Sequence, residues 1–297
     1  MKLLVFGKDG QVGREAAAKL TGLGQVVAYG RDGADFERPD TLAALIEAER
    51  PDVIVNAAAY TAVDLAEDER ERAWTINAGA VGAIGEAAAR MGALVVHYST
   101  DYVFDGQGVG YYDEAQPTSP LSVYGASKLA GEVLLRESGA RHLIFRTSWV
   151  YAPTGKNFPL TILRLARERD TIAVVADQVG APTAASLIVE VTATAIPQVL
   201  ANPGKAGLYH LAAAGEASWH GVADFLVAEA RAAGAVLKLP PDAIGAIPAS
   251  AYPTRAVRPA NSRLDTGKLR STFGIALPPW QDGIVALIKA LQQEGRL

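Results

Sequence analysis

The segment VYGASKLAGE, residues 123–132, places Tyr124 and Lys128 four positions apart in a stretch with helical periodicity. Residues separated by four positions lie on one face of a helix, about one turn apart. A phenol and an ammonium in this arrangement can act as an acid–base pair, because the phenol can give up a proton and the ammonium changes how readily it does so. The same spacing also occurs between a packed tyrosine and a solvated lysine. The pair therefore predicts catalysis only if other residues supply a substrate site and a further reactive group.

A hydroxyl-rich segment, HYSTDYVFDG, contains the end of an apolar run of strand length. Ligands of open parallel sheets bind at the carboxyl ends of the strands, so Ser99, Thr100 and Asp101 are expected to emerge where a substrate can lie. A ketone that accepts a hydride at carbon develops negative charge on its oxygen. Tyr124 can donate a proton to that oxygen while Thr100 hydrogen-bonds it. A Lys128 ammonium nearby would lower the pKa of the phenol from its ordinary value of about 10.

Three glycines, Gly7, Gly10 and Gly13, lie in FGKDGQVG, after the first apolar run and at the opening of the first amphipathic stretch. Small residues in such a turn allow the backbone to approach a pyrophosphate. The N-terminus of the following helix offers free N–H groups and the positive end of its dipole. A tight strand–helix turn without a ligand has the same glycines. Its position in the first strand–helix unit favours binding of a dinucleotide, which would supply the hydride.

The segment after the second apolar run, YGRDGADF, carries two opposing signals for the choice of cofactor. Asp32 lies 19 residues after Gly13, near the spacing at which an acidic residue binds the ribose 2′-hydroxyl of NAD. Arg31 can instead pair with the 2′-phosphate of NADP. The sequence therefore leaves both NADH and NADPH open.

Apolar runs of strand length alternate with Ala-rich amphipathic stretches through the first 150 residues. The runs show no polar alternation, which is typical of strands buried on both faces of a parallel sheet. This pattern predicts an α/β fold in which residues 1–150 form an NAD(P)-binding domain, a Rossmann-type doubly wound parallel sheet. We predict strands at 2–6, 25–29, 52–56, 94–98 and 142–147, and helices within 11–22, 40–49, 67–91 and 122–137.

The pattern is looser in the second half of the chain, where prolines are frequent. We predict that residues 151–297 form mainly a smaller C-terminal substrate-binding lobe. A strand and a helix from about 205–234 are expected to return and complete the Rossmann domain. The segment 238–282 is rich in proline and predicts extended loops. Elements expected in this half are a helix at about 158–169, a strand at 207–212 and a helix at about 219–234.

Composition excludes several classes of function. The 297-residue chain has a net charge of -4, which provides no basic surface for nucleic acid or an anionic membrane. Cysteine is absent, which excludes disulfides, thiolate metal sites and a cysteine nucleophile. No apolar run approaches about 18 residues, and the N-terminal apolar run is short and reaches glycines and charges at once. We therefore expect a cytoplasmic protein without a signal peptide.

Four motifs, GKDGQVG, STDYVF, YGASK and RTSWVY, together resemble the extended short-chain dehydrogenase/reductase superfamily. The resemblance narrows to the dTDP-4-dehydrorhamnose reductase family through PDVIVNAAAYTAVD, DQVGAPT, GLYHL and SAYPT followed by RPANSRL, and it extends over nearly the whole chain. It implies reduction of dTDP-4-dehydro-β-L-rhamnose to dTDP-β-L-rhamnose with NADPH or NADH. This reaction would be the last step in making a rhamnose donor for cell-envelope polysaccharides.

The resemblance also implies roles for individual residues. Thr100, Tyr124 and Lys128 would form the catalytic triad, and Thr100, Asp101 and Trp149 would contact the sugar nucleotide. Together with the glycine turn and Arg31, it predicts a set of cofactor contacts: Gly7, Gly10, Gln11, Val12, Gly13, Arg31, Asp35, Phe36, Ala59, Tyr60, Thr61, Tyr98, Tyr124 and Lys128. Weaker candidates for the nucleotide end of the substrate are Arg258, Asn261 and Arg263.

Some members of this family are described as dimers bridged by magnesium through acidic residues. Glu15 and Glu190 match such acids, but Ser186 stands where a further acid is expected, so a magnesium bridge is disfavoured and no metal site is predicted. We expect a monomer or homodimer that binds a dTDP-sugar and neither nucleic acid nor membrane. His97 and His142 flank strands and are interpreted as packed or edge residues, whereas His210 and His220 lack any close acidic or histidine pattern for a metal.

Two other functions use the same features. A sugar-nucleotide epimerase or 4,6-dehydratase shares the fold and the Tyr–Lys pair. Dehydratases of the superfamily carry the sequence TDE after the fourth strand, and its glutamate abstracts a proton from the sugar. This chain has TDY instead, with Tyr102 in place of that glutamate. A non-catalytic NADP-binding regulatory subunit, such as the β subunit of methionine adenosyltransferase, is similar to the same family. Net consumption of NAD(P)H with the keto-sugar separates a reductase from both.

Overall fold

The computed structural model describes residues 1–297, and its elements alternate between strands and helices in the first half of the chain. The strands are β1 (Lys2–Phe6), β2 (Gln25–Tyr29), β3 (Val53–Asn56), β4 (Leu94–Thr100), β5 (Arg141–Thr147), β6 (Val150–Tyr151), β7 (Ile172–Val175), β8 (Val179–Gly180), β9 (Thr183–Ala184), β10 (Gly207–His210), β11 (Ala217–Ser218) and β12 (Ile244–Ile247). The helices are α1 (Gln11–Lys19), α2 (Pro39–Glu49), α3 (Val63–Ala66), α4 (Arg70–Trp74), α5 (Ala80–Met91), α6 (Val123–Glu137), α7 (Phe158–Glu168), α8 (Ala185–Ala201), α9 (Trp219–Ala232), α10 (Gly267–Phe273) and α11 (Trp280–Gln293).

A six-stranded sheet in the order β10-β5-β4-β3-β1-β2 organises the molecule, and all of its neighbouring strands are parallel. The chain leaves β1 to form β2 on one side and then crosses to form β3 on the other side. Crevices open outside the carboxyl ends of the strands at such a switch point, which is where ligands bind in open α/β sheets. The Rossmann-type sheet predicted from the sequence is confirmed.

The central strands lack polar alternation because helices cover both faces of the sheet. Every residue of β3 and β4 is buried. Successive side chains point to opposite faces, so Leu4 and Ile54 pack against α2, α5 and α6. Leu3 and Val53 pack on the other face, against α1, α8 and α10. Each fully buried aliphatic side chain contributes roughly 1.5–3 kcal/mol, so the two cores stabilise the sheet that positions the strand ends.

The C-terminal half builds a separate apolar cluster from α7, α9 and α11. Ile162, Leu226 and Ile284 lie within it, one from each helix. The strand β10 pairs with β5 at the edge of the large sheet, whereas α9, which was expected to cover that sheet, packs inside the C-terminal cluster. Helix α8 covers the sheet instead. The boundary near residue 150 stays a prediction.

The stretch 67–91, within which helix was predicted, is helical from Arg70 onward but changes its hydrogen-bond pattern part-way. It contains α4, a π-helical turn at Thr75–Gly79 and then α5. Within the turn, the Asn77 side chain donates to the Tyr60 carbonyl at 3.1 Å and accepts from the Tyr60 N–H at 2.8 Å. Such wide turns are common at functional sites, and this one fastens the segment after β3 to the helix layer. None of the helices is both long and apolar enough to cross a membrane.

Candidate active site

The glycine turn after β1 is shaped by close backbone approach. Gly7 has φ +84°, and a Cβ there would lie 2.8 Å from Ala57 and 2.7 Å from Ala58 backbone atoms. At Gly13 a Cβ would overlap the carbonyl oxygen of Gly7, so α1 packs directly against the turn. Only glycine fits these two positions without displacing the backbone.

Helix α1 begins at Gln11 with no side-chain hydrogen bond capping its N-terminus. The first N–H groups of a helix have no partner within the helix, and the dipole adds positive potential there. Gly10, Gln11 and Val12 line a large cavity, so this N-terminus faces open space. It therefore has the geometry of an anion site for a pyrophosphate.

The cavity has a volume of about 900 Å³ and lies along the carboxyl ends of the sheet strands. Most of the predicted site residues line it: Gly7, Gly10, Gln11, Val12, Arg31, Asp35, Phe36, Ala59, Thr61, Tyr98, Thr100, Asp101, Tyr124, Lys128 and Trp149. Gly13 and Tyr60 do not. Gly13 is buried in α1, and the Tyr60 hydroxyl donates to Glu69 at 3.1 Å, away from the cavity.

Lys128 is held at the base of the cavity, with only 2% of the residue exposed. Its Nζ donates a hydrogen bond to the Tyr98 carbonyl at 2.7 Å and lies 3.3 Å from Nε2 of His97. Burial lowers the pKa of Lys128 to about 8, although the charge of Glu132 acts in the opposite direction. The ammonium is thus brought into the range where it can exchange its proton near neutral pH.

Tyr124, one turn earlier in α6, opens onto the same cavity. Burial of its hydroxyl raises the pKa of Tyr124 to about 12, and the neighbouring Thr100 hydroxyl only partly opposes this effect. In the cofactor-free protein the pKa is thus raised by burial and not lowered as was expected from Lys128, whose amine bonds the Tyr98 carbonyl. Tyr124 is therefore fully protonated at neutral pH, the form that a proton donor needs.

Thr100 and Asp101 form the cavity wall at the end of β4. The Thr100 hydroxyl donates to Oδ1 of Asp101 at 3.1 Å and accepts the backbone N–H of Tyr102 at 3.1 Å. Burial raises the pKa of Asp101 to about 6. The second carboxylate oxygen, Oδ2, is buried without a hydrogen-bond partner. An unpartnered buried oxygen in a cavity wall is suited to accept a hydrogen bond from a ligand hydroxyl.

Trp149 follows β5 and adopts φ +51°, a left-handed conformation unusual for a bulky residue. Its ring lines the cavity and stacks on Trp219 of α9, with ring centroids 3.6 Å apart and planes 13° apart. Such strain costs on the order of 1–3 kcal/mol and persists at functional positions that the surroundings hold in place. The stack holds the Trp149 ring against helix α9 at the edge of the C-terminal apolar cluster.

Arg31 and Asp32, which are adjacent in the sequence, differ in their position relative to the cavity. Both are exposed, but only Arg31 lines the cavity. The two candidate residues that were expected to compete for the ribose therefore occupy different positions relative to the cavity.

The three weaker nucleotide candidates fasten loops and do not line the cavity. Arg258 bonds Oδ2 of Asp64 at 2.8 Å. Asn261 donates to the carbonyl oxygens of Gly108 and Gly110, at 2.7 Å each, and the Arg263 guanidinium bonds Asn261 at 2.8 Å. Asn261 and Arg263 thereby close the loop that follows β4, whereas Arg258 bonds helix α3, which follows β3.

A buried ion pair behind the site was not predicted from the sequence. Glu132 accepts hydrogen bonds from Arg146 at 2.9 and 2.7 Å and from the Ser99 hydroxyl at 2.5 Å. Glu132 is one helical turn after Lys128, while Ser99 immediately precedes Thr100. The pair thereby connects helix α6 to the end of β4. Sequence spacing carries no signal for this pairing, since the partners come from three different elements.

Comparison with known proteins places this geometry in a family. The family model described as the RmlD substrate binding domain matches residues 1–293. The chain belongs to this family. A dTDP-4-dehydrorhamnose reductase of Burkholderia thailandensis is 50% identical over 295 residues, which cover 98% of this chain and 99% of that protein. The reductase of the same name from Escherichia coli K12 is also 50% identical over 295 residues, covering 98% of each.

A solved structure supports the same RmlD family assignment. The dTDP-4-dehydrorhamnose reductase of Bacillus anthracis in complex with NADP matches with a TM-score of 0.88 and 31% identity, over 97% of this chain and 99% of that one. The residues present here fit a dinucleotide. The uncapped N-terminus of α1 and the Gly7 cradle suit the pyrophosphate, and the cavity runs from Arg31 to Lys128.

The residues matched to the magnesium bridge of some RmlD family members contact a lysine in this chain. Nζ of Lys19 lies 2.8 Å from Glu190 and 3.5 Å from Glu15. No group of three or more His, Cys, Asp or Glu side chains is placed to hold a metal ion. The lysine supplies a positive charge between these two carboxylates. The absence of a magnesium bridge between subunits stays a prediction.

Further residues line the cavity that sequence reasoning did not single out for cofactor or substrate. Asn56 follows the rule that strand ends face the ligand, which could have identified it. Ser99, which the sequence analysis placed beside the substrate by that rule, also lines the cavity. Gly155 and Lys156 reach the cavity from the loop before α7, and no sequence signal indicates this approach. Others are Asp9, Gly30, Ala34, Glu37, Ala57, Ala58, Val63, Ile76, Tyr102, Thr147 and Val150.

Proposed function

We propose that this protein reduces the C4 ketone of dTDP-4-dehydro-β-L-rhamnose to the alcohol of dTDP-β-L-rhamnose, with NAD(P)H as the reductant. Two curated reductases of this name share half of its residues over nearly the full length. The observation that carries the proposal is the set of Thr100, Tyr124 and Lys128 in one cavity with the glycine turn. A hydride source and a proton donor can meet in such a cavity.

In the proposed reaction, bound NAD(P)H supplies a hydride to C4 of the sugar. Tyr124 donates its proton to the oxygen that becomes negative, and its high pKa keeps the proton on the phenol until that charge develops. The Thr100 hydroxyl donates to Asp101 in the free protein, and on substrate binding its O–H would turn to donate to the same oxygen. Trp149 offers an aromatic face to the sugar nucleotide.

The position of Arg31 supports NADPH as the preferred cofactor. Arg31 lines the cavity and Asp32 does not. A guanidinium forms strong, charge-assisted hydrogen bonds with a phosphate, so Arg31 suits the 2′-phosphate that distinguishes NADPH from NADH. The Bacillus anthracis relative was solved with NADP.

Dehydration is disfavoured by the residue after Asp101. Tyr102 lines the cavity where dehydratases of the superfamily carry a carboxylate base, and its ring stands edge-on to Tyr124 at 5.5 Å. Burial raises the pKa of Tyr102 further, so it does not ionise to serve as a base.

A cytoplasmic location and a monomeric or homodimeric state remain predictions.

A coupled assay tests the function. The protein is supplied with dTDP-4-dehydro-β-L-rhamnose, and oxidation of NADPH and NADH is followed separately by absorbance. We expect one equivalent of NADPH to be consumed for each dTDP-rhamnose formed. Turnover of the sugar without net cofactor consumption would indicate an epimerase, and binding of NADPH without turnover would indicate a regulatory subunit.

A further inference from the structure

A buried chain of hydrogen bonds leads from the backbone after β3 to the amine of Lys128. The backbone N–H of Ala58 donates to Oδ1 of Asn56 at 3.1 Å. Nδ2 of Asn56 lies 3.1 Å from Nδ1 of His97, and Nε2 of His97 lies 3.3 Å from Nζ of Lys128. Asn56 and His97 are register partners on β3 and β4, and both are 1% exposed or less.

The first bond of this chain determines the orientation of the amide. A backbone N–H can only donate, so the atom of Asn56 facing Ala58 is the oxygen, and the amide nitrogen faces His97. Because an amide nitrogen only donates, Nδ1 of His97 must carry the lone pair. A neutral imidazole then carries its single hydrogen on Nε2, which faces Lys128.

His97 is neutral in this position. It is completely buried, and burial, the larger cause, by itself holds the pKa of His97 below its ordinary value. The Nε2–H and an ammonium at Nζ are both donors and cannot satisfy each other. A neutral amine can accept the Nε2–H with its lone pair while one of its own hydrogens still bonds the Tyr98 carbonyl.

The other titratable groups around this amine lie on α6 and β5. Glu132 is one turn after Lys128 and favours the ammonium, but its carboxylate is held by Arg146 through two hydrogen bonds. Tyr124, one turn before, is neutral because its pKa is raised. His97 is therefore the only one of these neighbours that presents a donor to Nζ.

We propose that His97, locked by Asn56 in the Nε2–H tautomer, is a positioning residue that favours the neutral amine of Lys128 in the cofactor-free protein. The inference deepens the proposed reductase function. A neutral amine adds no positive charge that would lower the pKa of the Tyr124 phenol, which therefore stays protonated and ready to donate.

The tautomer is measured directly by NMR on the intact wild-type protein without substrate. Two-bond ¹H–¹⁵N spectra of ¹⁵N-imidazole-labelled protein distinguish a protonated from an unprotonated ring nitrogen, and the chain has only four histidines. His97→Gln identifies the signal. We expect His97 to remain the neutral Nε2–H form from pH 6 to pH 9. An Nδ1–H form or a charged ring in this range would overturn the proposal.

Two variants test whether the tautomer of His97 controls the pKa of Lys128. Asn56→Asp keeps an acceptor for the Ala58 N–H but replaces the donor to His97, so the ring should switch to Nδ1–H and offer Nε2 to the ammonium. The pKa of Lys128, followed through its ¹³Cε shift, should rise by about one unit or more. Lys128→Met is the matched control and should leave the Nε2–H tautomer unchanged.

An unchanged Lys128 pKa in Asn56→Asp, with the ring switched, would show that His97 does not control the lysine. A changed tautomer in Lys128→Met would show that the lysine controls the ring. These measurements require no catalysis, so they stand or fail independently of whether the protein reduces the keto-sugar.

Discussion

The guanidinium of Arg146 donates two hydrogen bonds to the carboxylate of Glu132, at 2.9 and 2.7 Å, with both side chains almost fully buried. The guanidinium also lies 5.1 Å from the ring centroid of Phe104. Because Glu132 also binds Ser99 beside the catalytic candidate Thr100, this pair sets the distance between α6 and the end of β4. Its removal should affect both stability and the site.

Arg146→Met should lower the free energy of unfolding by roughly 3–5 kcal/mol, because it leaves the Glu132 carboxylate buried without a counter-charge. Urea denaturation measures the change. The matched control is Arg164→Ala, which breaks the exposed pair with Glu168 and should cost no more than about 0.5 kcal/mol. Replacing Glu132 by leucine in the Arg146→Met background should recover much of the lost stability. Equal losses in Arg146→Met and Arg164→Ala would contradict the argument.

Tyr124→Phe should reduce kcat by roughly 10²-fold or more, the scale of a lost general acid, and leave the Kd for NADPH within about a factor of two. Steady-state assays and fluorescence titration measure the two quantities. Tyr151→Phe is the control, since its buried hydroxyl has no hydrogen-bond partner and its removal should leave kcat unchanged. Near-normal turnover in Tyr124→Phe would eliminate the phenol as proton donor.

Asp101→Asn should stabilise the protein at pH 8 and do so progressively less at lower pH. The folded state raises the pKa of Asp101 from 3.8 to about 6, so the folded protein binds this proton more tightly than the unfolded chain. The charged form therefore costs stability above pH 6, by about 3 kcal/mol at most. This cost disappears as the pH falls from 6 towards 3.8. Thermal unfolding of both proteins across this range tests the prediction, and a gain independent of pH would refute it.

Gly13→Ala should destabilise the protein by about 1–3 kcal/mol and weaken NADPH binding, because the added methyl overlaps the Gly7 carbonyl and separates β1 from α1. Gly22→Ala is the matched control, since a Cβ there meets nothing within 4 Å. Unfolding curves with and without NADPH measure both effects. If the two substitutions behave alike, close packing of the turn is not what the glycine provides.

Arg31→Ala should raise the KM for NADPH by roughly tenfold or more, the value of a hydrogen bond between charged groups, with little change in the KM for NADH. Asp32→Ala should leave the preference between the two cofactors intact, because Asp32 does not line the cavity. Parallel assays with both cofactors give the comparison. A larger effect of the Asp32 substitution, or equal losses for NADH and NADPH, would assign the ribose contact to another residue.

The strands of the sheet could be predicted from the sequence because each is a short apolar run without alternation. β1 and β2 begin and end where expected, and β4 extends two residues further, to Thr100. Helix α8 was missed because it contains Pro197, which usually ends a helix. The burial of Ile188 and Val199 against the sheet outweighs the lost backbone hydrogen bond.

The candidate site could be predicted as a set of residues but not as a set of contacts. Tyr124 and Lys128 share a helical face, as their spacing requires, and Thr100 ends a strand. The direction of the lysine amine, towards the Tyr98 carbonyl and His97, depends on which elements pack together. His97 had been interpreted only as a packed histidine, since a single sequence carries no information about its tautomer.

The pairing of β10 with β5 has a consequence for synthesis of the chain. β5 ends at Thr147, but the strand that covers its outer edge begins only at Gly207. Until the ribosome has released that segment, the buried strand around Phe145 presents unpaired N–H and C=O groups, a template for association with other chains. A chain truncated after residue 150 would keep this unpaired strand edge permanently. The sheet that carries the glycine turn therefore depends on residues translated about 60 positions after β5 for its last strand.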